Sequence, residues 1–415
     1  MTEQTVRLQR RGKFAIKKPL SDYGAKVIDN FSAKQIQMPA LDGIRGIAIL
    51  LVLFVHLTVI LPDTLTGHVM LTIAGVGWAG VELFFVLSGF LITGILLDSR
   101  GSENYFQSFY IRRILRIMPL YFAVTAISFL VLPHIDHPKA ARFATVGHDE
   151  IWYWLMMSNI AIAKAGGALR HGIMDVTWSI AIEEHFYLIW PIVVAAVRPV
   201  TLPRLCVGIF LTGLLLRFAL LFSGVNHNIL YVLTPTHLDG LSLGALVACG
   251  VRSSLTKVTL ARIGTRAMFA GAVAFSAAAL VSHSFEYYGN AWIVSTGFAS
   301  LAVFFAGFVL RAYLNGNVNC ASNRILSSHF LRMFGKYSYA IYLFNLPLRA
   351  LVRDWLIKPE TFSAYPGGAF VGQLVFYFAS GVLCLAVAAA SYHLFEKHFL
   401  RLKRRYPANL VATSS

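Results

Sequence analysis

Residues 41–61 read LDGIRGIAILLVLFVHLTVIL, and from Gly43 to Leu61 only Arg45 and His56 can carry a charge. A helix of that length rises roughly 28 Å at ~1.5 Å per residue, close to the ~30 Å hydrocarbon thickness of a bilayer. The stretch therefore predicts a transmembrane helix. Working outward, apolar runs of similar length recur at about 76–97, 114–132, 177–197, 205–223, 230–250, 266–282, 291–311, 333–355 and 368–395. The reading is an all-α polytopic membrane protein with about ten transmembrane helices. An eleventh apolar stretch, Ile151 to Ala163, is too short to span and is expected to be interfacial or re-entrant.

Composition supports the same class. Apolar residues make up 57% of the 415 positions, charged residues only 13%, and mean hydropathy is +0.65. Soluble proteins place charge at roughly a quarter of their positions, so a soluble enzyme, a disordered protein and a disulfide scaffold are excluded. Lys and Arg outnumber Asp and Glu by 36 to 19. They are scattered in short clusters between apolar runs, which argues against nucleic acid as a partner. Cys206, Cys249, Cys320 and Cys384 lie far apart with no CxxC pair and no His at ligand spacing, so no metal site or disulfide is expected.

The basic residues set the expected orientation, since cytoplasmic loops hold the Lys and Arg. Loops 62–75, 224–229 and 283–290 have none, whereas 98–113, 198–204, 251–266 and 312–332 have two or more. Residues 1–40 form a retained basic cytoplasmic tail, 41–400 the membrane domain, and 401–415 a second cytoplasmic tail. Loop 133–176 departs from the alternation with Lys139, Arg142, Lys164 and Arg170. Making 151–163 a span would reverse every later loop, so ten spans are kept.

Ionisable groups within spans are costly, about 2.5–3.5 kcal/mol at a helix centre on insertion scales, and they mark pairs or functional sites. Arg45 and His56 are 11 residues apart, which places them about 20° apart on one face and ~16 Å apart along it. Glu82 in the second span should lie at a depth similar to His56 and could orient it. Arg112, Arg113 and Arg116 sit at the mouth of the third span, and the last two, at i and i+3, offer a paired guanidinium surface suited to phosphate. The fourth span carries Glu183, Glu184 and His185, and the sixth His237 and Asp239. The carboxylates and His56 concentrate at mid-membrane or beyond, and the arginines at the cytoplasmic rim.

In order along the chain, LDGIRGIAILLVLFVH, GVELFFVLSGFLIT, RRILRIMPLYF, TWSIAIEEHFYLIWP, LDGLSLGALVA, GKYSYAIYLFNLP and SYHLFEKHFLR resemble the signature of the acyltransferase 3 family of integral-membrane O-acyltransferases. The resemblance covers roughly residues 38 to 404. It implies a stand-alone ten-helix acyltransferase domain in a bacterial inner (plasma) membrane, and the charge pattern is what puts both termini on the cytoplasmic side. Such a protein takes an acyl group from acyl-CoA, with acetyl-CoA as the expected co-substrate and no permanently bound cofactor. The acceptor is a hydroxyl on a sugar of a surface polysaccharide, glycolipid or secreted glycoconjugate.

Carried over by motif, the family's first-helix basic residue and histidine fall on Arg45 and His56, its RxxR on Arg113 and Arg116, and its WSLxxE-type glutamate on Glu183. The chain departs from the pattern at Phe344-Asn345, where many members have Trp-His. It departs again at His237-Leu238 before Asp239 and at Glu396-Lys397-His398. The expected assignments are His56 as general base, or as the briefly acylated group, oriented by Glu183 or Glu82. Arg45, Arg113 and Arg116 would hold CoA phosphates. The competing reading from another class is a proton-coupled transporter or flippase in which the same buried acids and His56 relay protons.

Overall fold

The computed structural model describes residues 38–60, 65–135, 149–167, 174–286, 290–362 and 368–407. Most of both predicted tails, with Lys139, Arg142 and Arg170 of the exceptional loop, lie outside the described residues. In chain order the helices are α1 (Pro39–Leu57), α2 (Leu65–Asp98), α3 (Tyr105–His134), α4 (Glu150–Trp154), α5 (Ser158–Lys164), α6 (Thr177–Ala196) and α7 (Leu202–Phe222). These are followed by α8 (His227–Val232), α9 (Leu238–Gly250), α10 (Lys257–Ser282), α11 (Ile293–Asn315), α12 (Ala321–Leu326), α13 (His329–Leu351) and α14 (Gly368–Arg405). No strand occurs among the described residues.

Local chemistry fixes several helix starts. Pro39 and Pro203 occupy the first turns of α1 and α7, where the missing N–H would have no helical partner. Thr256 and Ser328 cap α10 and α13 by accepting from the amides of Thr259 and Leu331.

Each of the ten predicted spans corresponds to a helix, and eight of these are long and apolar enough to cross a membrane. The other two are α13, which is 23 residues long but carries Arg332, Lys336, Asn345 and Arg349, and α9. The sixth span, expected to be continuous over 230–250, is broken. After α8 comes a 3-10 turn at Thr234–Thr236 containing Pro235, and α9 is only 13 residues long, about 20 Å. Irregular backbone at membrane depth survives only when its polar groups are satisfied within the protein. Here the Leu230 carbonyl accepts from Thr236 Oγ1, the Val232 carbonyl from Asn159 Nδ2, and the Thr236 carbonyl from Arg217 Nη1.

The 151–163 stretch is two short helices, α4 and α5, separated at Met156, whose φ of 56° lies in the left-handed region. It does not span, as the sequence predicts.

The centre of the bundle is built by α2 and α11, 72% and 78% of whose most apolar windows are buried, against 17–22% for α7, α10 and α14. Close backbone approaches position the site. Gly335 of α13 lies on the Asp42 carbonyl of α1, and Gly46 of α1 lies on the Leu331 carbonyl of α13. In the same way Gly89 of α2 meets the Leu241 carbonyl of α9, and Gly244 meets that of Val86, so a Cβ at any of the four would collide with backbone. The pairs Phe85–Trp178, Ser88–Glu183 and Thr93–Trp190 show that α2 and α6 run in the same direction, as two spans that both descend should.

Candidate active site

A cavity of about 370 Å³ opens among α1, α2, α3, α6, α9, α13 and the end of α14, within the size range of small-molecule sites. Its basic end carries Arg45, Arg112, Arg113, Arg116, Arg252 and Lys403. Two of these six have carboxylate partners. Arg45 donates to Asp42 at 2.8 Å, and Arg252 makes a bidentate pair with Asp98 at 2.6 and 2.7 Å. Arg112, Arg113, Arg116 and Lys403 have no ion-pair partner among the described residues. The Arg113 guanidinium instead lies 5.4 Å from the Tyr187 ring centre and 5.8 Å from that of Phe109, a stacking that fixes its direction without neutralising it. An uncompensated cluster of this kind at a cavity mouth suits a polyanion such as a chain of phosphates.

Further in, the wall holds Ser88, Glu183 and Tyr187. Glu183 accepts from Ser88 Oγ at 2.6 Å and from the Tyr187 hydroxyl at 3.1 Å, and that hydroxyl also reaches Ser88 at 3.0 Å. At the inner end stand Val81, Phe84, Phe85, Ser179, Ile180 and Tyr342. The Tyr342 and Ser179 hydroxyls are 2.7 Å apart.

His56 is not on the cavity wall; its partner is Asn345, one turn of α13 beyond the wall residue Tyr342. Its Nδ1 is 2.6 Å from Asn345 Oδ1, while Asn345 Nδ2 donates to the Tyr342 carbonyl at 2.5 Å. With the amide so oriented, Oδ1 can only accept, so Nδ1 carries the proton and Nε2 presents its lone pair. The backbone around His56 is equally fixed. Arg349 donates to the His56 carbonyl at 2.9 Å, and Gln373 bridges the Leu57 carbonyl and the Val59 amide, both at 2.9 Å. These contacts satisfy carbonyls at the end of α1.

The cavity thus brings together Arg45, Arg113, Arg116 and Glu183, and leaves His56 off its wall. The partner of His56 is an amide, and neither carboxylate expected to orient it is hydrogen bonded to it. Glu183 is held by Ser88 and Tyr187. Glu82 is wholly buried with Oε1 2.9 Å from His237 Nδ1. Beside it Arg217 pairs with Asp239 at 2.7 Å, both fully buried. Ligand atoms of Glu82, His237 and Asp239 fall within 4.8 Å of one another, but the Arg217 guanidinium already sits on Asp239 as its cation. The rings of Phe85, Trp178, Tyr231 and Phe298 surround His237 at 5.0–5.7 Å. Glu82, His237, Arg217 and Asp239 form two buried pairs that join α2 and α7 to the start of α9. His185 is turned to the other side of α6, 2.8 Å from Thr234 Oγ1.

Sequence reasoning passed over Asn345, Tyr342, Arg217, Arg252 and Lys403. Arg217 carried a usable signal, an arginine within the apolar run 205–223. Asn345 stood at the position where the family's Trp-His pair was missing, a departure that marked the residue without showing its partner.

The fold and cavity define a membrane-embedded helical protein with a basic, internally polar chamber. Residues 38–393 match the model of the acyltransferase domain, and the chain belongs to the acyltransferase 3 family. It is similar to the peptidoglycan O-acetyltransferase OatA of Listeria monocytogenes, 28% identical over 327 residues, covering 76% of this chain and 50% of the relative. It is also similar to the O-acetyltransferase OatA of Staphylococcus aureus, 26% identical over 341 residues, covering 78% of this chain and 52% of the relative. The chain spans about half the length of these curated relatives. No solved structure matches it.

Proposed function

We propose that the protein transfers an acetyl group from acetyl-CoA to a sugar hydroxyl of a surface polysaccharide such as peptidoglycan, or of a glycolipid or secreted glycoconjugate. The reading places it in a bacterial plasma membrane with both termini cytoplasmic. The observation that carries it is one continuous arrangement: three unpaired guanidinium groups, with Lys403 beside them, at the mouth of a chamber whose inner wall, Tyr342, is hydrogen bonded to the residue that fixes His56.

In this reading Arg112, Arg113, Arg116 and Lys403 bind the donor's phosphates, and its pantetheine arm points inward past Ser88 and Tyr187. Arg45, paired with Asp42, shapes the wall. Glu183 holds the two cavity hydroxyls in place. The acyl group reaches His56 when the Tyr342 ring moves aside.

His56 Nε2 then takes the proton of the acceptor hydroxyl, whose oxygen attacks the thioester carbonyl. The tetrahedral intermediate collapses with loss of the CoA thiolate, which takes the proton from Nε2. In the two-step variant Nε2 itself attacks the thioester carbonyl and the CoA thiolate leaves; the acceptor oxygen then takes the acetyl group from Nε2, and the hydroxyl proton goes, through the freed imidazole, to the thiolate. The relay reading has less support, because Glu82 and Asp239 are each already paired, with His237 and Arg217, and none of these four groups is hydrogen bonded to His56.

Purified protein in detergent, given acetyl-CoA and a soluble glycan, should release CoA thiol and yield a product heavier by one acetyl group. His56→Ala should lower that rate by about 10²–10⁴-fold, the usual contribution of a general base, with thermal unfolding near wild type. A variant keeping more than a tenth of wild-type activity would remove His56 from the chemistry.

A further inference from the structure

We propose that Arg262, Arg266 and Arg311, where α10 crosses α11, bind the phosphate headgroup of an anionic membrane lipid.

The crossing is built on two glycines. Gly307 lies against the Gly264 carbonyl, and a Cβ on Gly264 would stand 3.2 Å from the Gly307 carbonyl oxygen. The same Cβ would be 3.1 and 3.3 Å from Cγ and Cδ of Arg311, so the aliphatic stem of Arg311 lies across Gly264. Arg262 and Arg266 are one turn apart on α10 and bracket that glycine in sequence. The three guanidinium-bearing residues, with Val258, Ala261 and Thr265, line a single surface recess.

Among the described residues nothing neutralises this charge. Neither α10 nor α11 contains an Asp or Glu. None of the three arginines has a hydrogen-bond or ion-pair partner among the described residues. Separate snorkelling would explain one interfacial arginine at a time. It does not explain three from two helices converging over a glycine crossing.

Depth points to lipid rather than to a soluble anion. α10 has 26 residues, about 39 Å, which exceeds the ~30 Å hydrocarbon layer. The surplus of about 9 Å puts its first turns in the headgroup region with Arg262, about 7.5 Å from the helix start, while Arg266, about 13.5 Å along, stands just inside the hydrocarbon boundary, from which its long side chain reaches the same layer. Beyond them the outer surface of α10 continues with Phe269 and Val273, 73% and 52% exposed, a path for an acyl chain below a bound headgroup. Basic recesses between membrane helices bind anionic headgroups at roughly 1 kcal/mol per arginine, about fivefold in affinity.

The test is native mass spectrometry of the full-length protein in detergent, titrated with phosphatidylglycerol or phosphatidylcholine. Wild type should retain one phosphatidylglycerol in strong preference to phosphatidylcholine. The R262Q/R266Q/R311Q variant should lose that preference by on the order of 100-fold, and R262Q and R266Q singly by about fivefold each. The singles keep the question decidable if the triple variant does not insert. A control R198Q/R204Q, at exposed residues just before and in the first turn of α7, should bind like wild type.

Equal retention of both lipids overturns the proposal, as does an equal loss in the control, which would mean a diffuse charge effect. Displacement of phosphatidylglycerol by millimolar inorganic phosphate would show a soluble-anion site and would likewise overturn it.

Discussion

Asn345 has one acceptor and one donor group, and both are committed: Oδ1 to His56 and Nδ2 to the Tyr342 carbonyl. If that arrangement prepares Nε2 as a base, Asn345→Leu should lower kcat by about tenfold or more and leave KM for acetyl-CoA unchanged. Asn345→Asp, which keeps an acceptor for the Nδ1 proton, should recover part of the loss. Equal activity of the two variants would show that the residue only packs. The basic mouth predicts the opposite kinetic split. Arg116 is exposed and unpaired, so Arg116→Ala should raise KM for acetyl-CoA by about tenfold, the worth of one charge-assisted phosphate contact, with little change in kcat. A fall in kcat at constant KM would move Arg116 from donor binding to the transition state.

Among elements, α2, α7 and α9 are joined by the Glu82–His237 and Arg217–Asp239 pairs. Removing one member of a buried pair leaves its partner charge unmatched, at a cost of about 3–5 kcal/mol, whereas replacing both by apolar groups is often neutral. Arg217→Met should therefore lower the thermal midpoint in detergent sharply, and R217M/D239L should restore most of it. A single variant as stable as wild type would mean that the network carries no structural load. The same region marks the limit of what the sequence can tell. Eight of the ten spans were legible because apolar length alone specifies a membrane helix, and a ninth, α13, is a continuous helix despite its Arg332, Lys336, Asn345 and Arg349. The sixth was not, because hydropathy does not register that Pro235 ends one helix or that Arg217 and Asn159 satisfy the freed carbonyls. At the site, motifs located Arg113, Arg116 and Glu183 on one cavity, but which carboxylate or amide faced His56 depended on how α1, α2 and α13 rotate against each other. Glycines at Gly46 and Gly335 set that rotation through close backbone contact, which no spacing rule encodes.

For the whole molecule, orientation decides whether the mechanism is possible at all. Eight Lys and Arg precede residue 40, and loops 224–229 and 283–290 hold none, so the basic end of the bundle should face the cytoplasm. That end carries Arg112, Arg113, Arg116 and Lys403, and acetyl-CoA is a cytoplasmic molecule. His56, at the opposite end of α1 from Arg45, would then lie toward the outer side, so the acyl group moves outward as it is transferred. Of the four native cysteines, Cys206, Cys249 and Cys384 are buried and Cys320 is half-buried, so a Cys320→Ser background should be nearly silent to a membrane-impermeant maleimide. In that background a cysteine placed at Asn226 should label in intact cells, and cysteines at Ser102 or Ser254 should label only after lysis. The reverse pattern would put the unpaired cations outside the cell, away from any cytoplasmic thioester, and the chamber would have to be read as a site for some other anion.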